Sequence, residues 1–210
     1  MSISKGVLAM KPVEILMQEH RVIEVALNCL EAMMERAQAD GRLEKEPAEQ
    51  IVDLIRNFAD RCHHGKEEDR LFPAMVAKGM PQEGGPISVM LAEHDMGRAF
   101  VRQMAKSIEC AADGDSAALA EFANAAGGYI QLLRSHIQKE DRILFPMADR
   151  MLDEEEQKDL LAEFETVETE HMGAGTHERY LKVAESLAAR YGVSSAPVAR
   201  AAAGGCCHHH

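Results

Sequence analysis

Two stretches of this chain carry the same polar pattern. Residues 62–73 read CHHGKEEDRLFP and residues 135–146 read SHIQKEDRILFP. Aligned on Leu-Phe-Pro, they place His63 over His136, Lys66 over Lys139 and Glu67 over Glu140, 73 positions apart. A repeated core helix needs only apolar residues in common. This repeat keeps a histidine and a carboxylate, groups that are costly to bury without partners. The likeness extends upstream: LMQEHRVIE (16–24) matches MLAEHDMGR (90–98), which sets His20 over His94 at an offset of 74. The unit written twice is a helix bearing one histidine, then a helix bearing His-x-x-x-Glu. That describes a duplicated two-helix hairpin.

Hydrophobic periodicity supplies the helices. Val13, Leu16, Met17, His20, Ile23, Leu27, Leu30 and Met34 recur at the three-four spacing of one helix face. Pro12 stands at the first turn, and the pattern stops near Asp40-Gly41. Pro47 opens a second helix that carries Ile51, Leu54, Ile55, Phe58 and Cys62 to about Lys78, before the break KGMPQEGGP. A third runs from Ile87 to about Ala112. Asp115 or Ser116 caps a fourth, which holds Leu119, Phe122, Tyr129, Leu132, Leu133, His136 and Leu144. Pro73 and Pro146 fall inside helical patterns and are expected to kink or end them. Beyond Asp153, two further helical stretches flank Gly173–Gly175.

Strand signals are nearly absent, and short connections favour antiparallel neighbours. The expectation is an all-α protein: an up-down-up-down four-helix bundle over 1–150, a C-terminal helical appendage over 151–192, and a tail over 193–210 that is disordered or was added for expression.

Residues i and i+4 share a helix face, so His63 and Glu67 reach toward one point, as do His136 and Glu140. His20 and His94 lie on the apolar stripes of their own helices. A lone histidine on an apolar face is usually a hydrogen-bonded core residue, and an isolated His-x-x-x-Glu is often a surface pair. Two such pairs, with two further histidines in register, point instead to a metal site. Four imidazoles and two carboxylates suit iron, manganese or zinc. Six ligands are too many for one tetrahedral zinc and suit two ions bridged by the glutamates.

Bulk composition narrows the partners. With 23 Lys plus Arg against 35 Asp plus Glu, the formal charge is 23 − 35 = −12, which disfavours nucleic acid and anionic membrane. No run of about 18 apolar residues is present and the first residues are wrong for a signal peptide, so a cytoplasmic location is expected. None of the five cysteines forms a C-x-x-C pair. Cys29, Cys62 and Cys110 read as reduced, buried thiols, and Cys206-Cys207 lies in the tail. There is no HExxH, GxSxG or phosphate loop.

The arrangement H…HxxxE…H…HxxxE, with HHGKEEDRLFP and HIQKEDRILFP, resembles the hemerythrin-like (HHE cation-binding) proteins over roughly Val13 to Arg150. The resemblance implies a four-helix bundle around two non-haem iron ions. His20, His63, His94 and His136 would be nitrogen ligands, and Glu67 and Glu140 bridging carboxylates; zinc or manganese would be the alternative metals. Oxygen-carrying members have HxxxH on the third helix, where this chain has Arg98, and HxxxxD on the last, where Asp141 stands beside Glu140. An extra ligand or outer partner is sought in Glu24, one turn after His20, and in His177 of the appendage. His64 and Glu68 are read as facing away. The resemblance implies binding or sensing of O2 or NO, or iron handling under oxidative or nitrosative stress. The alternative is a di-iron enzyme with peroxidase, catalase-like or NO-reducing activity, or iron-sulfur repair, with peroxide as a further ligand and Lys66, Lys139 or Tyr129 as proton donors.

Overall fold

The structure is a computed structural model and describes residues 10–171 and 175–204. It contains helices and no strand among those residues. The first arm is α1 (Pro12–Asp40), with Pro12 in its first turn and Gly41 closing it in the left-handed region at φ 69°. The second arm is one helical rod over 45–77: α2 (Lys45–Leu54), π1 (Ile55–His64), π2 (Glu67–Leu71) and α3 (Phe72–Ala77). The third is α4 (Pro86–Ala112). The fourth spans 116–151 as α5 (Ser116–Lys139), π3 (Glu140–Leu144) and α6 (Phe145–Met151). Asp115 is the N-cap of α5, its carboxylate accepting from the backbone N–H groups of Ala117 and Ala118.

Pro73 and Pro146 neither end nor break their rods. Each follows a π turn, in which the N–H of Phe72 donates to Glu67 C=O and that of Phe145 to Glu140 C=O, five residues back. The widened turn hands over to a fresh α segment with proline in its first turn, where a missing N–H costs least. The rods change winding where the repeated motif lies.

The four arms bury two apolar clusters with a polar layer between them. Leu16 of α1, Leu71, Phe72 and Met75 of the second arm, Met90 of α4 and Leu144 and Phe145 of the fourth belong to one cluster. Ile23 and Leu27, Phe58, Val101 and Met104, and Tyr129 and Leu133 belong to the other. Along every arm the repeated histidines and glutamates fall at the switch between them. α4 and α5 approach closely at Gly128, where a Cβ would stand 2.6 Å from the Phe100 ring.

The appended helices are α7 (Glu154–His171), α8 (Thr176–Tyr191) and α9 (Ala196–Gly204). They share the bundle's core rather than forming a separate one. Leu160 and Phe164 join the first cluster, and Tyr180, Leu181, Leu187 and Val198 join the second. Polar contacts tie them down: Tyr180 Oη donates to Asp53 at 2.9 Å, and Arg190 donates to Glu44 at 2.6 Å. The disordered tail expected from 193 is therefore corrected for 196–204. Pro197 sits in the first turn of a helix whose Val198 and Ala201 are buried. Cys206-Cys207 lies outside the described residues, as does part of the glycine-rich break. Cys29 and Cys62 are buried thiols, but Cys110 is exposed: it lies near the end of α4, off the apolar face.

Candidate metal centre

All six repeat residues meet in the polar layer. His20, His63, Glu67 and Glu140 form one group of buried donors whose ligand atoms lie within 4.8 Å of one another. His64, Glu67, His94 and His136 form a second, and Glu67 belongs to both. Its Oε1 lies 3.5 Å from His63 Nε2 and its Oε2 3.5 Å from His94 Nε2. Glu140 Oε2 spans the layer in the same way, 3.2 Å from His20 Nε2 and 3.2 Å from His136 Nε2.

His64 corrects the reading that it faces away. It is 4% exposed, and its ring stacks on His94. An α-helix would turn one of two successive histidines outward. The i→i+5 winding of π1 and π2 widens the turn, and Cys62, His63, His64, Lys66 and Glu67 are all buried. Glu68 is corrected too: its Oε1 accepts from His94 Nδ1 at 2.6 Å and from Arg98 at 2.6 Å. Glu24 is not in either group; it is half-exposed and pairs with Arg21 at 3.0 Å. His177 lies in a separate set with Glu19, Cys62 and Glu168, beyond the Glu19 carboxylate, and its ring packs on Phe58.

Each of the four repeat histidines has its own outer carboxylate. His20 Nδ1 lies 2.7 Å from Asp141, His63 Nδ1 3.0 Å from Glu19, His94 Nδ1 2.6 Å from Glu68, and His136 Nδ1 2.9 Å from Glu93. An ionised carboxylate only accepts, so each Nδ1 carries a hydrogen and Nε2 is the nitrogen turned inward. This is the outer arrangement that orients metal-binding imidazoles. Two basic residues extend it: Lys66 Nζ donates to Glu19 at 2.5 Å and to Glu168 at 2.5 Å, and Lys139 donates to Glu93. The lysines thus stand one carboxylate away from the imidazoles. Rings complete the support, since Phe145 stacks on His20 at 5.3 Å and Phe72 on His94 at 6.1 Å.

Two of these supports cross between the halves. Asp141 and Phe145 of the second copy hold His20 of the first, while Glu68 and Phe72 of the first hold His94 of the second. The signal was in the sequence: Glu19 and Glu93 precede the aligned His20 and His94, and Glu68 and Asp141 follow the aligned Glu67 and Glu140.

The protein groups alone set opposing proton preferences. Burial pushes the Glu67 carboxyl well up, reinforced by the charge of Glu140. Burial acts the same way on Glu140, but His136 and His20 outweigh it and hold that carboxyl low. Burial lowers His63 to about 4, helped by the charge of His20. For His136 burial is overcome by Glu140 and Glu93, and the imidazole rises to about 9.

These residues fit a cation. His20 Nε2, His63 Nε2, both nitrogens of His64 and all four oxygens of Glu67 and Glu140 are buried without a hydrogen-bond partner. His94 Nε2 and His136 Nε2 face each other at 3.1 Å. Unpaired buried acceptors are rare and each requires an explanation. Donors about 2 Å from a shared ion lie about 3–4 Å from one another, the spacing seen here. The donor set, imidazole plus carboxylate with no thiolate, suits iron, manganese or zinc.

Comparison with known proteins agrees with this geometry. The hemerythrin HHE cation binding domain matches residues 11–148. An uncharacterised protein of Mycobacterium tuberculosis and one of Mycobacterium bovis are each 28% identical over 173 residues, covering 82% of this chain and 67% of theirs. No solved structure matches the chain.

Proposed function

From the premise that the chain belongs to the hemerythrin HHE cation-binding family, we propose that it holds two iron ions in the polar layer and binds or senses O2 or NO there. Two four-donor groups sharing Glu67 are the observation that carries this reading. The ligands are His20, His63, Glu67 and Glu140 on one side, and His64, Glu67, His94 and His136 on the other, with Glu140 spanning both. Bound iron supplies reversible one-electron chemistry and a coordination position for a diatomic molecule.

The chain's own part is to hold and shield. Outer carboxylates fix the imidazoles of His20, His63, His94 and His136 with Nε2 inward, so these four ligands are orientated before an ion arrives. The two apolar clusters exclude bulk water from above and below the layer, which limits side reactions there. The seven donors are dominated by five imidazoles, whereas an oxidase built on this plan uses more carboxylate. That balance supports binding or sensing.

Metal analysis with an optical spectrum tests this on protein that is reduced and then exposed to air. About two irons per chain are expected, with a stable visible band under oxygen; His63→Ala should lower the iron on its own side and His136→Ala that on the other. Rapid oxidation with peroxide turnover would favour the enzyme. No iron, or iron indifferent to both substitutions, overturns the reading.

A further inference from the structure

The two halves of the duplication do not pack alike, and the difference opens a cleft. It lies between the second arm and α4, has a volume of about 480 Å³, and is lined at its inner end by His64 and His94. The aligned positions in the other half seal the corresponding seam. Ile23 stands where α4 has Gly97, and Ile130, Leu133 and Ile137 stand where the second arm has Asn57, Asp60 and His64. Those four apolar residues are all at most 5% exposed. One seam is core and the other is a polar passage that ends on two of the proposed ligands.

The charge of the passage is opposite to that of the chain. Four arginines line it, Arg56, Arg61, Arg98 and Arg102, against two acids, Asp53 and Asp60. Both acids are already engaged: Asp53 accepts from Tyr180 at 2.9 Å and Asp60 from Arg98 at 2.8 Å. Arg56 and Arg102 are exposed and make no ion pair among the described residues. On a protein of net charge −12, such a mouth attracts anions where the surrounding surface repels them.

We propose that this cleft is the entry route and outer chamber for a small oxoanion, which passes between Arg56 and Arg102 and reaches the His64–His94 side of the centre. The proposal rests on the reading of that centre as a metal site. Planar guanidinium groups match oxoanion oxygens in pairs, and the buried Tyr129 lines the inner wall. Gly97 keeps the passage open.

The test uses the full iron-loaded chain, nitrite as the anion and uncharged nitric oxide as the control, mixed rapidly while absorbance is followed. Iron content is measured on every sample. Arg56→Gln with Arg102→Gln should slow nitrite association about tenfold at low ionic strength, and the difference should vanish at high salt, leaving nitric oxide unchanged. Gly97→Ile restores the residue of the sealed seam, and its Cβ meets only ordinary contacts at 3.5 Å and 3.6 Å. It should slow nitrite at least tenfold at every salt concentration. Wild-type nitrite rates in both variants, with iron retained, overturn the route. Slowing in Gly97→Ile alone overturns the anionic class. A chain that holds no iron overturns the proposed function and, with it, the destination of the cleft, and the iron measurement tells that failure from the other two.

Discussion

The imidazole of His64 stacks on that of His94, with ring centroids 3.9 Å apart and planes 12° from parallel. The other half of the duplication has Ile137 at this position. His64→Ile therefore makes the halves alike at this position. One donor leaves the second group, and two buried nitrogens without partners go with it. Iron on that side should weaken at least tenfold, the loss typical of disturbing even an outer partner, and the other ion should stay. The metal-free fold should be as stable or more so, because an unsatisfied polar group is replaced by an apolar one. Chelator competition and a thermal melt check both; undiminished affinity for two ions would remove His64 from the ligand set.

Glu67 serves both groups through its two oxygens. Glu67→Gln keeps the size and removes the charge, so both ions should be lost together, whereas His20→Ala should affect its own side first. Metal content per chain after dialysis distinguishes the cases. One ion retained at full occupancy in Glu67→Gln would contradict the bridging role.

Glu93 accepts from His136 and Lys139 without belonging to either donor group. Glu93→Gln should leave the helical spectrum intact and lower metal affinity about 10–100-fold. Asp141→Asn should do the same through His20. Titration against a chelator of known affinity measures it, and unchanged affinity in both variants would reduce these carboxylates to surface neighbours.

Lys66 is fully buried between Glu19 and Glu168, while its counterpart Lys139 keeps 34% of its side chain exposed. Removing one partner of a buried ion pair costs about 3–5 kcal/mol, and removing an exposed one about 0–1 kcal/mol. Lys66→Met should therefore destabilise far more than Lys139→Met in urea unfolding. Adding Glu19→Gln to Lys66→Met should recover part of the loss. Equal costs for the two lysines would refute this assignment of burial.

Arg190 donates to Glu44 and holds that carboxyl below the usual carboxylate value; burial opposes this, and Tyr191 adds to it. A depressed folded value means the stabilisation is present above about pH 4.5 and is lost as pH falls through the folded value. The contact is largely exposed, so its worth is about 0.5 kcal/mol or less. Protection factors of the α8 amides, corrected for the intrinsic exchange rate at each pH, should fall modestly below about pH 4.5, and Glu44→Gln should abolish that dependence while lowering protection at pH 7.

The arms and their contents were legible because apolar spacing and a written-out repeat both survive in one sequence. Asp115, Pro12 and Gly41 marked helix ends through chemistry that acts within a few residues. His64 was not legible, because the spacing rule assumes α winding and the motif lies in π turns. Glu19 and Glu93 were passed over because a glutamate beside a histidine looks like a solvated neighbour until the facing helix is in place. The last helix was missed for a similar reason: Ala-rich sequence after Gly192 carries little periodicity, and its helix is held by packing on α1 and α8.

The crossed support of His20 by Asp141 and Phe145, and of His94 by Glu68 and Phe72, makes the two hairpins behave as a subunit pair that happens to share one chain. The connection at 78–85 is then a tether rather than a structural member. A protease cut there should leave two fragments that stay associated and copurify, and neither fragment alone should fold a site around an ion. A dimer of identical hairpins has to change both copies at once, but a tethered one can change either. His64 and Gly97 are changes of that kind, and the two sides of the polar layer are unequal because the chain is free to be.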